Sequence, residues 1–343
     1  SLQAKEIIHR MRGNVAIDEF SKVDLVIEAV FENMSLKKEI IANLETHTNE
    51  DTIIASNTSS LSISEMAESA KRPENIIGMH YFSPVPLMPL LEIIKTPYTA
   101  EHVVAASYDL GVRQGKTCII VKDSPGFYVN RILGPYMNEA LKMFDEGVDI
   151  ELIDRAIEKI GFPMGPITLM DQVGLDVCSA VISEERLLAM DEKTRNEVSF
   201  TVKKIHNEGG LLGKKGGKGF YIYDSKTGKK TSVNHSIDAL VDRENQNSIS
   251  FGNVQKRLLF PLLNEAVLSL SEGIISNPKD GDIGAIFGMG FPPFKGGPFR
   301  MLDKNLDLIL SQMEELVDQY GERFKPVDFL KEHQKTTKHF YKS

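Results

Sequence analysis

The first 122 residues alternate short, nearly continuous apolar runs with segments of helical period, and this alternation limits the fold more than any other feature of the chain. The apolar runs are 23–30, 52–55, 75–79, 90–94 and 117–121. Runs with few polar positions suit a sheet covered on both faces. Between them, residues 35–44, 63–70 and 102–111 carry helical patterns, the second announced by the capping-box spacing of Ser62 and Glu65. The alternation predicts a doubly wound α/β domain, whose ligands bind beyond the carboxyl ends of its strands. Asn57-Thr58-Ser59-Ser60 and His80 both stand at such ends.

The character changes at Asp123-Ser124-Pro125-Gly126, where a capping residue followed by Pro favours a helix start. Phe127, Ile132, Leu133, Tyr136, Met137, Ala140, Leu141 and Phe144 then keep a helical period. The remainder is expected to be helical, apart from a Gly-rich link at 209–219 that runs into Phe220-Tyr221-Ile222-Tyr223. This half contains an internal repeat. Residues 130–140 recur at 256–266, so that Arg131, Pro135, Asn138 and Glu139 return as Arg257, Pro261, Asn264 and Glu265. Glu146, Gly161, Gly165 and Asp171 return as Glu272, Gly290, Gly297 and Asp303. Two copies of one helical unit predict a duplicated all-α domain. The expected domains are 1–122, 123–225 for the first helical copy and 245–343 for the second. Residues kept in both copies read as packing and capping positions. Asn130, which becomes Lys256, is open to a role peculiar to its copy.

Composition excludes several classes. A hydrophobic content of 41% and a charged content of 26% over 343 residues are ordinary for a globular chain with room for more than one core. The net charge of −8, without a Lys/Arg cluster, argues against non-specific nucleic-acid binding. An anionic ligand must therefore meet a local cation. No apolar run approaches the roughly 18 residues of a membrane span. Two cysteines, Cys118 and Cys178, suit a reducing compartment. The opening Ser1-Leu2-Gln3-Ala4-Lys5, without an initiator Met or a targeting signal, reads as the start of a piece of something longer.

The most chemical segment runs from Ile77 to Ile94. His80 stands where an apolar strand enters a proline-rich loop, and Glu92 lies inside the returning run Leu90-Leu91-Glu92-Ile93-Ile94. A carboxylate is costly to bury unless something pairs with it, and His80 is the nearest candidate. A carboxylate that fixes an imidazole tautomer makes a general base near neutral pH. Two readings stay open on spacing alone: a catalytic pair, or a polar strand-end histidine with a glutamate that faces solvent from an edge strand.

Taken together, Val26-Ile27-Glu28-Ala29-Val30-Phe31-Glu32-Asn33, Ala55-Ser56-Asn57-Thr58-Ser59-Ser60, the His80-to-Glu92 segment, residues 123–131, Gly217-Lys218-Gly219-Phe220-Tyr221 and Gly290-Phe291-Pro292-Pro293 resemble the L-3-hydroxyacyl-CoA dehydrogenase family over essentially the whole chain. The duplicated helical half resembles its multifunctional branch, the α subunits of the mitochondrial trifunctional protein and of bacterial fatty-oxidation complexes. The resemblance implies NAD-dependent oxidation of a (3S)-3-hydroxyacyl-CoA to the 3-ketoacyl-CoA in fatty-acid β-oxidation. It implies His80 as base, Glu92 as its orienting carboxylate, and Ser59 and Asn130 as residues that hold the reacting oxygen or the base. Glu32, Lys37, Ser59, Ser83 and Lys215 match cofactor- or acyl-CoA-contacting positions. Their alternatives on the residues alone are a turn serine, a helix-start asparagine, a solvated helix lysine and a solvated Gly/Lys loop.

Ser83 departs from the pattern, since stand-alone enzymes often carry Asn there. So does the absence of a Gly-x-Gly-x-x-Gly after any strand; the family's glycine turn precedes the point where this chain begins. The expected fold is thus a Rossmann-type domain truncated at its N-terminus, followed by the duplicated helical domain. The implied partners are an acyl-CoA substrate, a second copy forming a homodimer through the helical domain, and a thiolase β subunit, with no nucleic acid. The C-terminal residues carry no peroxisomal tripeptide, which favours the mitochondrial matrix over the peroxisome, with the bacterial cytoplasm as the alternative. A competing reading is a non-catalytic assembly or acyl-CoA-binding fragment without the dinucleotide loop.

Overall fold

Each apolar run of the first 122 residues forms one strand of a five-stranded sheet: β1 (Leu25–Glu28), β2 (Ile53–Ser56), β3 (Ile76–Tyr81), β4 (Leu90–Lys95) and β5 (Thr117–Lys122), in that spatial order. The computed structural model describes residues 6, 8–181, 197–241, 248–336 and 339–341; the opening pentapeptide and Lys342-Ser343 lie outside them. The chain divides into two compact units, Ser1–Phe127 and Tyr128–Ser343.

In the first unit β1, β2 and β3 are parallel, linked through helices α1 (Met34–His47) and α2 (Ile63–Glu68). The fourth strand departs from the expected parallel pattern. It returns antiparallel to β3, and β5 runs parallel to β4 after helix α3 (Glu101–Arg113). The cause is the connection: a parallel crossover needs a dozen or more residues and usually a helix, whereas β3 and β4 are joined by the short proline-rich loop 82–89. Strands β2 and β4 are buried almost throughout, as their runs of apolar residues require. Close packing also fixes two glycines. A Cβ on Gly78 in β3 would lie 2.8 Å from the Ile94 Cβ, and one on Gly111 in α3 would lie 2.5 Å from the Cys118 sulfur. Burial pushes the free thiol of Cys118 up to about 11, so it stays protonated at neutral pH.

Helix starts follow the sequence cues in part. Asn33 caps α1 through Leu36 N, and Ser62 caps α2 by accepting from Glu65 N at 3.2 Å. The return half of the capping box is not used, because the Glu65 carboxylate pairs with Lys38 at 2.7 Å instead. The expected helix start at Asp123–Pro125 is displaced to Val129. Asp123 accepts from Ser62 Oγ (2.9 Å) and Ser64 N (2.7 Å), and Phe127 takes a left-handed φ of 53°, which no helix accommodates.

The second unit is built from α4 (Val129–Asp145), α5 (Ile150–Glu158), α6 (Pro166–Val173), α7 (Leu175–Val181), α8 (Thr201–Asn207), α9 (Phe251–Ser271), α10 (Pro278–Met289), α11 (Pro298–Tyr320) and α12 (Asp328–Thr336). A short antiparallel pair, β6 (Tyr221–Tyr223) and β7 (Lys230–Val233), interrupts them. The repeat appears as exchanged contacts. Arg131 of α4 reaches Glu265 (2.5 Å) and Glu272 (2.7 Å), while Arg257 of α9 reaches Glu139 (2.6 Å) and Glu146 (2.8 Å). Each copy thus supplies the arginine for the other copy's carboxylates. Asn138 clamps Glu197 O and Ser199 N as Asn264 clamps Lys325 O and Val327 N, all at 2.9 Å.

The structure adds equivalences that the sequence comparison did not bring out. Asp154 accepts from Ile167 N and Tyr221 OH; Asp282 accepts from Phe299 N and Tyr341 OH. Asp171 holds the amides of Phe220 and Tyr221, as Asp303 holds those of Phe340 and Tyr341. Phe220-Tyr221 and Phe340-Tyr341 therefore close the two copies in the same way.

Candidate active site

An antiparallel hairpin pairs residues whose numbers have a constant sum, and the β3–β4 register sets His80 opposite Glu92. Residues facing each other in this way share a face of the sheet. The imidazole Nδ1 lies 2.7 Å from Glu92 Oε2, with His80 5% and Glu92 0% exposed. Strand β4 lies between β3 and β5, so the edge-strand reading of Glu92 is excluded. The imidazole N–H gives this buried carboxylate a hydrogen-bond partner. With Nδ1 donating to Glu92, Nε2 carries the lone pair and is the ring atom that can take a proton. Phe82 and Phe127 pack on the imidazole, with centroids at 4.4 and 5.6 Å. The left-handed turn at Phe127 is what turns its ring onto His80.

The second cluster occupies the carboxyl ends of β1 and β2. After β1, the Glu32 Oε1 atom accepts from Thr58 Oγ1 (2.5 Å), Ser59 N (3.2 Å) and Ser60 Oγ (3.2 Å). Asn57 Oδ1 accepts from Tyr81 N at 2.9 Å, which ties the same loop to the end of β3, one residue from His80. Glu32, Ser59 and His80 are thereby brought to one edge of the sheet. Ser83 is exposed in loop 82–89, whose carbonyl at Met88 accepts from Lys116 Nζ at 2.8 Å.

Lys37 differs from both sequence expectations. It is neither a solvated helix lysine nor an open cation for an anionic ligand. Its side chain is 1% exposed, and its ammonium lies 3.0 and 3.1 Å from the two oxygens of Glu28, with Glu32 Oε2 at 3.5 Å. Glu28, which was not among the expected site residues, carries the same sequence signal as Glu92: one carboxylate inside an apolar run.

Asn130 and Lys215 belong to the helical unit. Asn130 is the second residue of α4, half-buried. The Lys215 ammonium lies 2.6 Å from Asp176 and holds that carboxyl below the usual range. The lysine itself is about half exposed. Among the described residues, no helix is long and apolar enough to cross a membrane.

Comparison with known proteins matches residues 1–124 to the family described as 3-hydroxyacyl-CoA dehydrogenase, NAD binding domain, and residues 126–223 to the corresponding C-terminal domain. The fatty acid oxidation complex subunit alpha of Idiomarina loihiensis is 46% identical over 332 residues, covering 96% of this chain and 46% of that protein. The subunit of the same name from Vibrio vulnificus is 45% identical over 330 residues. The chain spans just under half the length of these relatives. Among solved structures, 3-hydroxybutyryl-CoA dehydrogenase from Escherichia coli superposes with a TM-score of 0.79 at 26% identity, covering 97% of this chain and 86% of that one. The dehydrogenase part of multifunctional enzyme 1 from C. elegans does so with a TM-score of 0.66 at 30% identity, covering 96% and 76%.

Proposed function

Because the chain belongs to the 3-hydroxyacyl-CoA dehydrogenase family, we propose that it carries the dehydrogenase chemistry of a multifunctional α subunit: oxidation of (3S)-3-hydroxyacyl-CoA to 3-ketoacyl-CoA with NAD in fatty-acid β-oxidation. One observation carries the reading, the buried His80–Glu92 pair at facing register positions. His80 Nε2 takes the hydroxyl proton of the substrate as the C3 hydrogen leaves with its electron pair. The oxygen lone pair then forms the carbonyl, and Glu92 stabilises the imidazolium. In the reverse direction the imidazolium returns the proton to the ketone oxygen. NAD supplies the acceptor for that hydride when bound. Glu32 and Ser59, held together at the carboxyl ends of β1 and β2, would hold it, with Ser83 and Lys215 as further candidates. Ser59 and Asn130 hold the reacting oxygen or the base.

General-base catalysis contributes on the order of a hundred- to ten-thousandfold. In the full-length parent, His80→Gln is expected to lower kcat within that range while far-UV circular dichroism stays unchanged. Wild-type turnover, read as NADH absorbance, would refute the assignment.

The wider setting rests on the relatives. Their designation as the alpha subunit of a complex supports a partner subunit, which we take to be a thiolase β subunit. A homodimer through the helical unit has to use surface outside the Arg131–Arg257 seam, because that seam is closed within one chain. Light scattering of the chain at micromolar concentration checks this. The two helical copies are taken as 123–225 and 245–343. The bacterial relatives favour the cytoplasm over the mitochondrial matrix.

A further inference from the structure

Glu28 ends β1 as a buried carboxylate that the proposed chemistry does not use. A buried ion pair need do no more than balance its own charge, and Glu28 with Lys37 satisfies that. The pair does not stop there. One arm runs through β2: Ser56 Oγ donates to Glu28 Oε1, and the same Oγ accepts from Thr58 N at 3.3 Å. The other arm runs through the cation. Lys37 Nζ sits between Glu28 and Glu32, and Glu32 then gathers Thr58 Oγ1, Ser59 N and Ser60 Oγ onto one oxygen. Both arms meet at Thr58, and the second also holds Ser59 and Ser60. Glu28 also accepts from Val30 N at 3.2 Å, which fixes the chain just before Glu32.

We propose that Glu28 is a positioning residue: through Ser56 on one side and Lys37–Glu32 on the other, it sets the Thr58–Ser60 loop and hence the placement of Ser59. Its importance to catalysis rests on the reading of Ser59 given above. Lys37 lies between the two carboxylates, so it acts inside the protein as a bridge between them rather than as a seat for phosphate.

The test separates loop order from stability and needs no turnover. Amide hydrogen exchange at Thr58–Leu61 is measured in the chain itself and in Glu28→Leu, Lys37→Met and the double variant, alongside thermal unfolding. Leucine removes the acceptor for Ser56 and Val30. Glu28→Leu is expected to lower Tm, since it leaves the buried ammonium with only the longer contact to Glu32, and to speed Ser59 exchange at least tenfold. The double variant removes that poorly compensated charge and is expected to regain most of the lost Tm while Ser59 exchange stays fast, because both arms remain cut. Should Glu28→Leu fail to fold, the double variant decides the matter alone. Recovery of Ser59 protection together with Tm, or unchanged protection in Glu28→Leu, would overturn the proposal. Turnover of the same variants in the full-length parent tests the role of Ser59 separately: fast exchange with unchanged kcat would sink that role and leave the positioning intact.

Discussion

Arg131 and Arg257 occupy equivalent places in the two helical copies, yet their replacement by methionine should have unequal effects. The Arg257 side chain is 1% exposed and faces Glu139, which is 2% exposed, and Glu146. Breaking a buried pair by removing one partner costs about 3–5 kcal/mol, because a desolvated charge is left uncompensated. Arg323 moderates the loss, since it stays 2.7 Å from the second oxygen of Glu139 and within 3.8 Å of Glu146. The lower end, about 3 kcal/mol, is therefore expected for Arg257→Met. Methionine keeps the aliphatic contact with the Tyr320 ring, over which the guanidinium now lies at 4.1 Å, so lost packing adds little. Arg131 bonds to Glu265 and Glu272, which are 20% and 45% exposed. Water already screens that site, and Arg131→Met is expected to cost about 1 kcal/mol. The difference of about 2 kcal/mol corresponds to roughly a 30-fold change in the folding equilibrium. Urea unfolding followed by far-UV circular dichroism reads it directly, and the chain has no tryptophan to offer a fluorescence alternative. Equal losses, or a larger loss at Arg131, would refute the claim that burial decides between two sequence-equivalent ion pairs.

Burial raises the Asp171 carboxyl to about 6, against amide bonds from Tyr221 and Phe220 that lower it. An unfolded Asp titrates near 4, so the folded state binds the extra proton. The stability this confers, roughly 3 kcal/mol, is present below about pH 4 and is lost as pH rises through 6. Asp171→Asn should flatten that part of the stability–pH curve, and a steeper slope in denaturant titrations at several pH values would contradict the sign. Gly78→Ala should destabilise the first unit by about 1–3 kcal/mol through overpacking against Ile94 and Ile63; a neutral thermal shift would show that the strands yield.

The sheet and the His80–Glu92 pair were legible because both rest on short-range pattern. Five apolar runs gave five strands, and a carboxylate inside one of them had to find a partner. What brought the pair into contact was the direction of β4, and only the brevity of the proline-rich loop hinted at that. The environment of Lys37 was not legible. Its helix reads as ordinary and amphipathic, and its burial depends on how α1 seats against the end of β1, a tertiary fact. The helix start at Asp123 failed for a similar reason: a capping residue serves whichever amides the fold brings to it, here those near Ser62. The match of Asp154 with Asp282, and of both with a closing tyrosine, was hidden because the offset between the copies changes along the chain, from 126 residues at Arg131 to 132 at Gly165 and 120 at Tyr221.

The exchanged arginines also bear on how this molecule can change. In a symmetric pair of identical subunits every substitution is made twice, and a residue useful in one copy is imposed on the other. With both partners of the seam on one polypeptide, a codon change alters one side alone, and dilution cannot separate the two. Lys256 stands in the place of Asn130, so the two copies already differ immediately beside the arginines they share.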